Sequence, residues 1–338
     1  MIMNNEGTKR QLFTLGTTLF SCTNEYLRLE YSFEQLLEQV ALRKLGPGVE
    51  LVGFSHIRGF PEVSDAFADR FRELMALHGL KPTCLSVNAD MGIRRGTWMT
   101  DEQAAEYFAP QLRAAAKLGF PVVRTQLAAP PAVLERLLPL IEELGLKVGP
   151  EVHAPWSVSS PVVVGYREMY ERLKSPLLGF VPDFGASARA LPPTYLEYLR
   201  AAGMPADLQE LAVGIWNGPG EAQWKRDQFS RLAAERRADP SAVSGLSVMF
   251  SILSHQSPRE WLEIMDRIIH VHCKFYDFDP QGSEPAIPYE ELLPVFVEGG
   301  YRGAMSSEWE GHMYQLGSGL EAVQKHHALC RRILASYQ

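Results

Sequence analysis

The sequence lacks the features that would place the chain in a membrane, in the secretory pathway or on nucleic acid. No apolar run reaches the roughly 18 residues that a membrane-spanning helix needs. The first residues, MIMNNEGTKRQ, are polar and have no apolar signal-peptide centre. A formal net charge of -7 argues against an extended nucleic-acid surface. We therefore expect a cytoplasmic protein with no membrane and no nucleic-acid partner.

Cysteine is also scarce, and no glycine-rich phosphate loop follows the first predicted strand. The cysteines are scattered, without the close pairing of a metal site, at Cys22, Cys84, Cys273 and Cys330. We expect free thiols, as is usual for cytoplasmic proteins. The missing glycine motif argues against a dinucleotide-binding fold.

What the 338 residues do contain is a regular alternation of strand-like and helix-like segments. This alternation predicts an α/β protein with a parallel sheet, and eight units are the number that closes a (β/α)8 (TIM) barrel. An open doubly wound sheet is the alternative. We expect a single barrel domain over 1–338, with strands at 13–21, 49–55, 82–88, 121–127, 147–153, 177–183, 268–275 and 303–310.

One long segment interrupts this alternation. About eighty residues separate the sixth and seventh predicted strands, far more than an ordinary connection. Helical patterns predict a helical insertion at 190–262, which could be surface decoration, a lid or a docking surface. It carries Trp216, Trp224 and Trp261, which could anchor a second subunit or pack within the insertion itself.

The ends of four consecutive strands carry groups that could perform chemistry. Active sites of such barrels lie at the carboxyl ends of the strands, and strands five to eight deliver there Glu151, His153, Asp183, His270, His272, Glu308 and Glu310. Three carboxylates and one histidine predict a divalent metal site that suits Mn²⁺, Mg²⁺ or Co²⁺ better than structural zinc. Because alternate strand residues face the same way, spacing alone does not choose between the two histidines of strand seven.

These segments resemble the xylose-isomerase-like barrels of the sugar isomerase/epimerase superfamily. The resemblance favours the second histidine of strand seven and implies one divalent ion bound by Glu151 in GPEVHAP, Asp183 in FVPDFGA, His272 in IIHVHCKF and Glu308 in SSEWEG. We expect this ion to be Mn²⁺. The chain departs from the ketose 3-epimerases of that superfamily, which usually have His, Glu, Glu and Arg where this sequence has Ala186, Ser157, Phe275 and Phe278.

Longer segments are similar to the α subunits of bacterial C-glycoside deglycosidases. The similarity covers VELVGFSHIRGFPE, GPEVHAP, HVHCKFYDF, EPAIPYEELLPVFVEGGYRGAMSSEWEGH and the long insertion. It implies a hetero-oligomer with a small β-rich second subunit. It also implies a carbon–carbon lyase whose substrate is a 3-oxo C-glycoside, a sugar already oxidised at C3 and joined at C1 to an aromatic aglycone.

Such a reaction needs a base for the C2 proton and an acid for the departing carbon. His153 is the candidate base, because strand parity places it beside Glu151 and imidazole titrates in the right range. Further catalytic candidates are His270 and Lys274, and candidates for substrate binding are His56, Arg58, Asn88 and Tyr276. The alternatives are a stand-alone sugar isomerase or epimerase that uses metal-enediolate chemistry, and a barrel that only binds or scaffolds.

Overall fold

The computed structural model describes residues 12–88, 91–92, 96–126, 129–315 and 317–337. Within this part of the chain, eight strands form one sheet in which all pairs are parallel. The strands are β1 (Thr14–Thr18), β2 (Gly48–Val52), β3 (Lys81–Ser86), β4 (Val122–Thr125), β5 (Lys147–Val152), β6 (Val181–Pro182), β7 (Val271–Phe275) and β8 (Ala304–Trp309).

The sheet closes on itself, which confirms the (β/α)8 barrel. Strands β1 to β6 follow one another in order, and β1 also pairs with β8, which pairs with β7. The last seam joins β6 to β7 through parallel bridges from Phe180 to Ile268 and from Asp183 to His272. This sequential order differs from the reversed order of a doubly wound sheet.

Fourteen α-helices are present in the described residues and surround the barrel or extend from it. They are α1 (Thr23–Leu27), α2 (Phe33–Leu42), α3 (Gly53–His56), α4 (Asp65–His78), α5 (Asp101–Leu118), α6 (Pro131–Leu144), α7 (Pro161–Leu173), α8 (Pro193–Ala201), α9 (Ala206–Asn217), α10 (Ala222–Glu235), α11 (Pro240–Ser247), α12 (Met249–Ile252), α13 (Tyr289–Glu298) and α14 (Gly319–Leu334). No helix of the described chain is both long and apolar enough to cross a membrane.

Helix α5 illustrates how the sequence sets these elements. Thr100 caps its first turn in a reciprocal capping box with Gln103, and the helix ends at Gly119, which adopts a left-handed conformation with φ 83°. The apolar side chains Phe108 and Leu112 are buried on one face. Helix α4 shows the same combination, with Ser64 as its cap and Gly79 as its stop.

Helices α8 to α12 and a 3-10 helix at Pro258–Arg267 lie between β6 and β7. Trp216 and Trp261 are buried within the chain, and the indole Nε1 of Trp261 donates to Ser187 Oγ at 3.1 Å. These two tryptophans therefore pack internally and are not available as anchors for another subunit. Trp224 is 54% exposed. The limits of the insertion, 190–262, stay a prediction.

All four cysteines lie in the described residues as buried free thiols. Burial raises the pKa of the Cys22, Cys84, Cys273 and Cys330 thiols above its ordinary value. They therefore fill space in the core as small apolar groups.

Candidate functional site

The barrel brings the four predicted ligands together at the carboxyl ends of its strands. Each offers one potential ligand atom, and these atoms lie within 4.8 Å of one another. His272 Nδ1 lies 2.5 Å from Glu151 Oε1 and 3.5 Å from Glu308 Oε1. All four residues, Asp183 included, are buried. The fold thus assembles from four separate strands a compact set of three carboxylates and one imidazole.

The surroundings of this set fit a divalent cation. Burial raises the pKa of Glu308 to about 8, and its Oε2 atom is buried without a hydrogen-bond partner. Unpaired carboxylates at this separation repel one another, and removing them from water adds a further cost. An ion with oxygen and imidazole ligands offsets both costs, and the donor set suits Mn²⁺, Mg²⁺ or Co²⁺.

Glu50 orients the histidine of this set. It lies on β2, is fully buried, and its Oε1 is 2.8 Å from His272 Nε2. When Nε2–H donates to Glu50, the Nδ1 lone pair faces the carboxylates of Glu151 and Glu308, which is the arrangement that a metal-binding imidazole requires. The tautomer is inferred from these contacts. Ser86 Oγ donates to Glu50 Oε1 at 2.7 Å and holds the carboxylate in place.

The charges of this group are strongly coupled. Burial alone would lower the pKa of His272, but the carboxylates of Glu50, Glu308 and Glu151 raise it well above the ordinary value. Burial would likewise raise the pKa of Glu50 and Glu151. His272 and His270 instead hold the pKa of Glu50 well below its ordinary value. Arg124 and His272 do the same for the pKa of Glu151.

His270 lies on the far side of Glu50 from the carboxylates. Its Nε2 is 2.9 Å from Glu50 Oε2 and 3.0 Å from Ser306 Oγ, while its Nδ1 is buried without a hydrogen-bond partner. Burial lowers its pKa. The two histidines of β7 thus share one carboxylate, and His272 is the one that also faces Glu151 and Glu308.

His153 and Lys274 form a second pair beside the ligands. The His153 Nδ1 lies 2.5 Å from the carbonyl of Ala154, so Nδ1–H donates and Nε2 is the basic atom. The Nζ of Lys274 donates to that Nε2 at 2.8 Å and also lies 2.9 Å from Asp183 Oδ2 and 3.1 Å from Glu310 Oε1. Burial would lower the pKa of Lys274, yet Asp183 and Glu310 raise it well above the ordinary value. The ammonium therefore stays charged and donates to the imidazole Nε2.

The predicted substrate contacts occupy different environments. The Tyr276 hydroxyl is buried without a hydrogen-bond partner, and burial raises its pKa well above the ordinary value. His56 is buried with Nδ1 3.0 Å from the Val52 amide, and burial lowers its pKa to about 4. Arg58 is exposed in the turn after α3. Asn88 exchanges backbone hydrogen bonds with the side chain of Gln111.

Sequence reasoning missed the groups that pair with the ligands. Glu50, Ser86 and Ser306 surround the two histidines of β7, and Arg124 on β4 forms an ion pair with Glu151. The available signal was a charged residue inside an otherwise apolar strand, as in VELV and VVRT. Such a residue has to be paired when it is buried.

No family model matches the chain, but curated proteins do. It is 39% identical over 335 residues to a 3'-dehydrocarminate deglycosidase alpha subunit from Microbacterium, with 96% of each chain covered. It is also 39% identical over 334 residues to a C-glycoside deglycosidase alpha subunit from Arthrobacter globiformis, with 98% of this chain and 95% of that protein covered.

Solved structures share the fold at low sequence identity. A D-psicose 3-epimerase from Clostridium cellulolyticum matches with a TM-score of 0.57 at 10% identity, over 95% of this chain and 99% of that one. The IOLI protein, solved with a bound zinc atom, matches with a TM-score of 0.54 at 14% identity, over 96% and 99%. These matches support the barrel fold and leave the reaction open.

Proposed function

Because the chain belongs to the family of C-glycoside deglycosidase alpha subunits, we propose that it is the catalytic subunit of such an enzyme. Its substrate would be a 3-oxo C-glycoside, and its reaction the cleavage of the bond between C1 of the sugar and the aglycone. The observation that carries the proposal is the basic Nε2 of His153, held by Lys274 beside the cluster of Glu151, Asp183, His272 and Glu308.

The proposed reaction begins with proton transfer to His153. A ketone at C3 makes the C2 proton acidic, and Nε2 takes this proton as the bond electrons move toward C1. The bond from C1 to the aglycone then breaks, and the aglycone carbon keeps that electron pair and needs one proton. The proton held by His153 satisfies this need, so the products are an unsaturated 3-oxo sugar and the protonated aglycone.

The remaining residues stabilise and orient these changes. A divalent ion held by the four ligands, for which we propose Mn²⁺, would stabilise negative charge that develops on the sugar oxygens. Lys274 occupies Nε2 of His153 in the substrate-free site and would turn to a sugar oxygen when substrate binds, which frees the lone pair for the C2 proton. Tyr276 offers a second donor, because its buried hydroxyl has no other partner. His270 would act indirectly, through Glu50.

A partner subunit is part of this proposal. The curated relatives are named alpha subunits, and we expect this chain to pair with a small β-rich protein. Trp224 stays the candidate contact of the insertion, since it is exposed while Trp216 and Trp261 are buried. We keep one barrel domain over 1–338 with an insertion at 190–262 as the domain organisation of the subunit.

The test is aglycone release from a 3-oxo aryl C-glucoside by the chain, alone and co-expressed with the product of the neighbouring gene. We expect release by the pair and none from the unoxidised glucoside, whose C2 proton is not acidic. If the chain alone is monomeric by light scattering and fully active, a partner subunit is not required. Isomerisation or epimerisation of free ketoses without any aglycone release would favour the isomerase alternative, to which the shared fold also points.

A further inference from the structure

A cavity adjoins the candidate site at His153. It has a volume of about 350 Å³ and is lined by the loop that follows β5 and by parts of α10 and α12. His153 is one of the residues that line it, so a group that fills the cavity contacts the proposed base. The candidate metal ligands do not line it, whereas segments between β6 and β7 do.

Two aromatic side chains, Trp156 and Phe250, line this cavity beside His153. Trp156 lies in the loop after β5 and is 40% exposed, while Phe250 is buried and packs on Phe229 with ring centroids 5.7 Å apart. A flat aromatic ligand would cover the exposed indole face and contact a ring that is already fixed in place. Aromatic pairs of this kind are favourable beyond the area that they bury.

The charge of the cavity opposes that of the ligand cluster. Among the described residues that line it, Arg226 on α10 carries the only formal charge. Its guanidinium lies 3.5 Å from Ser251 Oγ and has no carboxylate partner within the described part of the chain. Arg231 on the same helix, by contrast, pairs with Glu235 at 2.6 Å. Arg226 is therefore available for an anionic oxygen of a ligand.

The chemistry of the proposed reaction restricts where the aglycone can lie. Its first carbon is bonded to C1, and C1 is bonded to the C2 whose proton His153 removes. With near-attack distances of roughly 3–3.5 Å, this carbon must lie within roughly 6 Å of Nε2. The sugar oxygens belong on the side of the cluster, so the aglycone extends to the other side, where the cavity begins.

We propose that this cavity is the aglycone site and that it selects a planar aromatic aglycone bearing an acidic group, a carboxylate or a phenolate, placed at Arg226. The proposal rests on the proposed function for the identity of the ligand. It assigns the recognition of this ligand to three residues. Trp156 and Phe250 would contact the aromatic ring, and Arg226 would bind the acidic group.

The test is calorimetric binding of 2-naphthoate and of its neutral analogue 2-naphthamide to the full-length chain, with Mn²⁺ and again with EDTA. We expect wild type to prefer the anion in both conditions. Arg226→Gln should weaken naphthoate binding about tenfold and naphthamide binding less than about twofold, because a charge-assisted hydrogen bond is lost. Trp156→Ala should weaken both about tenfold. Arg231→Gln, on the same helix, is the matched control and should change neither.

Two results would overturn the aglycone site. One is equal affinity of wild type for the two probes or no detectable binding at millimolar concentration. The other is an Arg226→Gln variant that binds naphthoate as tightly as wild type. Neither depends on turnover. If aglycone release fails while the binding pattern holds, the proposed reaction is wrong and the site stands; if release succeeds while the pattern fails, the site alone is wrong.

Discussion

The two halves of the barrel contribute different kinds of group to one site. Strands β5 to β8 carry the candidate ligands and their neighbours, from Glu151 to Glu310, whereas β2, β3 and β4 carry Glu50, Ser86 and Arg124. The first-half groups contact the second-half groups across the barrel, and Glu50 is as deeply buried as any ligand. In this barrel, strands β5 to β8 supply the candidate ligand atoms, and strands β2 to β4 supply the groups that set the charge and the orientation of those ligands.

The fold was predictable because its signals are local. Strand periodicity, caps and glycine stops each span a few residues, and they gave the eight strands in the correct order. The sixth strand shows the limit, since the prediction covers 177–183 and the structure has Val181–Pro182. Proline lacks the amide donor that continues a ladder, and isolated bridges at Leu178, Phe180 and Asp183 take its place.

The site was predictable only where residues sit at strand ends. Glu151, Asp183, His272 and Glu308 could be found because barrels place chemistry at those positions. The partners of Glu50 could not be found, since His270 and His272 lie 220 and 222 residues away and no local pattern links them to it. Its role appears only once the sheet has closed.

The largest expected effect comes from removing a ligand of the second half. Glu308→Ala should lose the bound divalent ion, measured by elemental analysis of the purified protein. Turnover should fall on the order of 10³-fold or more, because metal stabilisation of developing charge is worth several kcal/mol. Glu298→Ala, on the exposed face of α13, is the control and should keep wild-type metal content. Unchanged metal in the Glu308 variant would mean that the ligand assignment is wrong.

Next in size is the loss of the proposed base. His153→Gln should reduce turnover roughly 10²- to 10⁴-fold while leaving metal content and thermal unfolding near wild type. Exchange of the sugar C2 proton with solvent deuterium reports abstraction without bond cleavage and should slow in parallel. Should the variant exchange that proton at the wild-type rate, His153 is not the base and His270→Gln becomes the next variant to test.

The third prediction concerns Glu50, on strand β2 in the first half of the barrel. Glu50→Gln removes the charge that orients His272 but keeps the side chain's size. Metal affinity should fall roughly 10- to 100-fold, the usual effect of losing a group that supports a metal ligand. Titration with Mn²⁺ under a competing chelator measures this without any assay of turnover. An affinity equal to wild type would show that the two halves of the barrel are not coupled at this carboxylate.

The smallest effect should come from Ser86, one hydrogen bond further from the ligands. Ser86→Ala removes the donor to Glu50 Oε1 and leaves one buried lone pair unpaired, at a cost of about 1 kcal/mol. If the whole of this free energy is lost from Mn²⁺ binding through His272, the Mn²⁺ affinity falls about fivefold. A Ser86→Ala, Glu50→Gln double variant should then bind Mn²⁺ no more weakly than Glu50→Gln alone, because the serine acts only through the carboxylate. Additive losses would instead mean that Ser86 supports the site by a route that does not pass through Glu50.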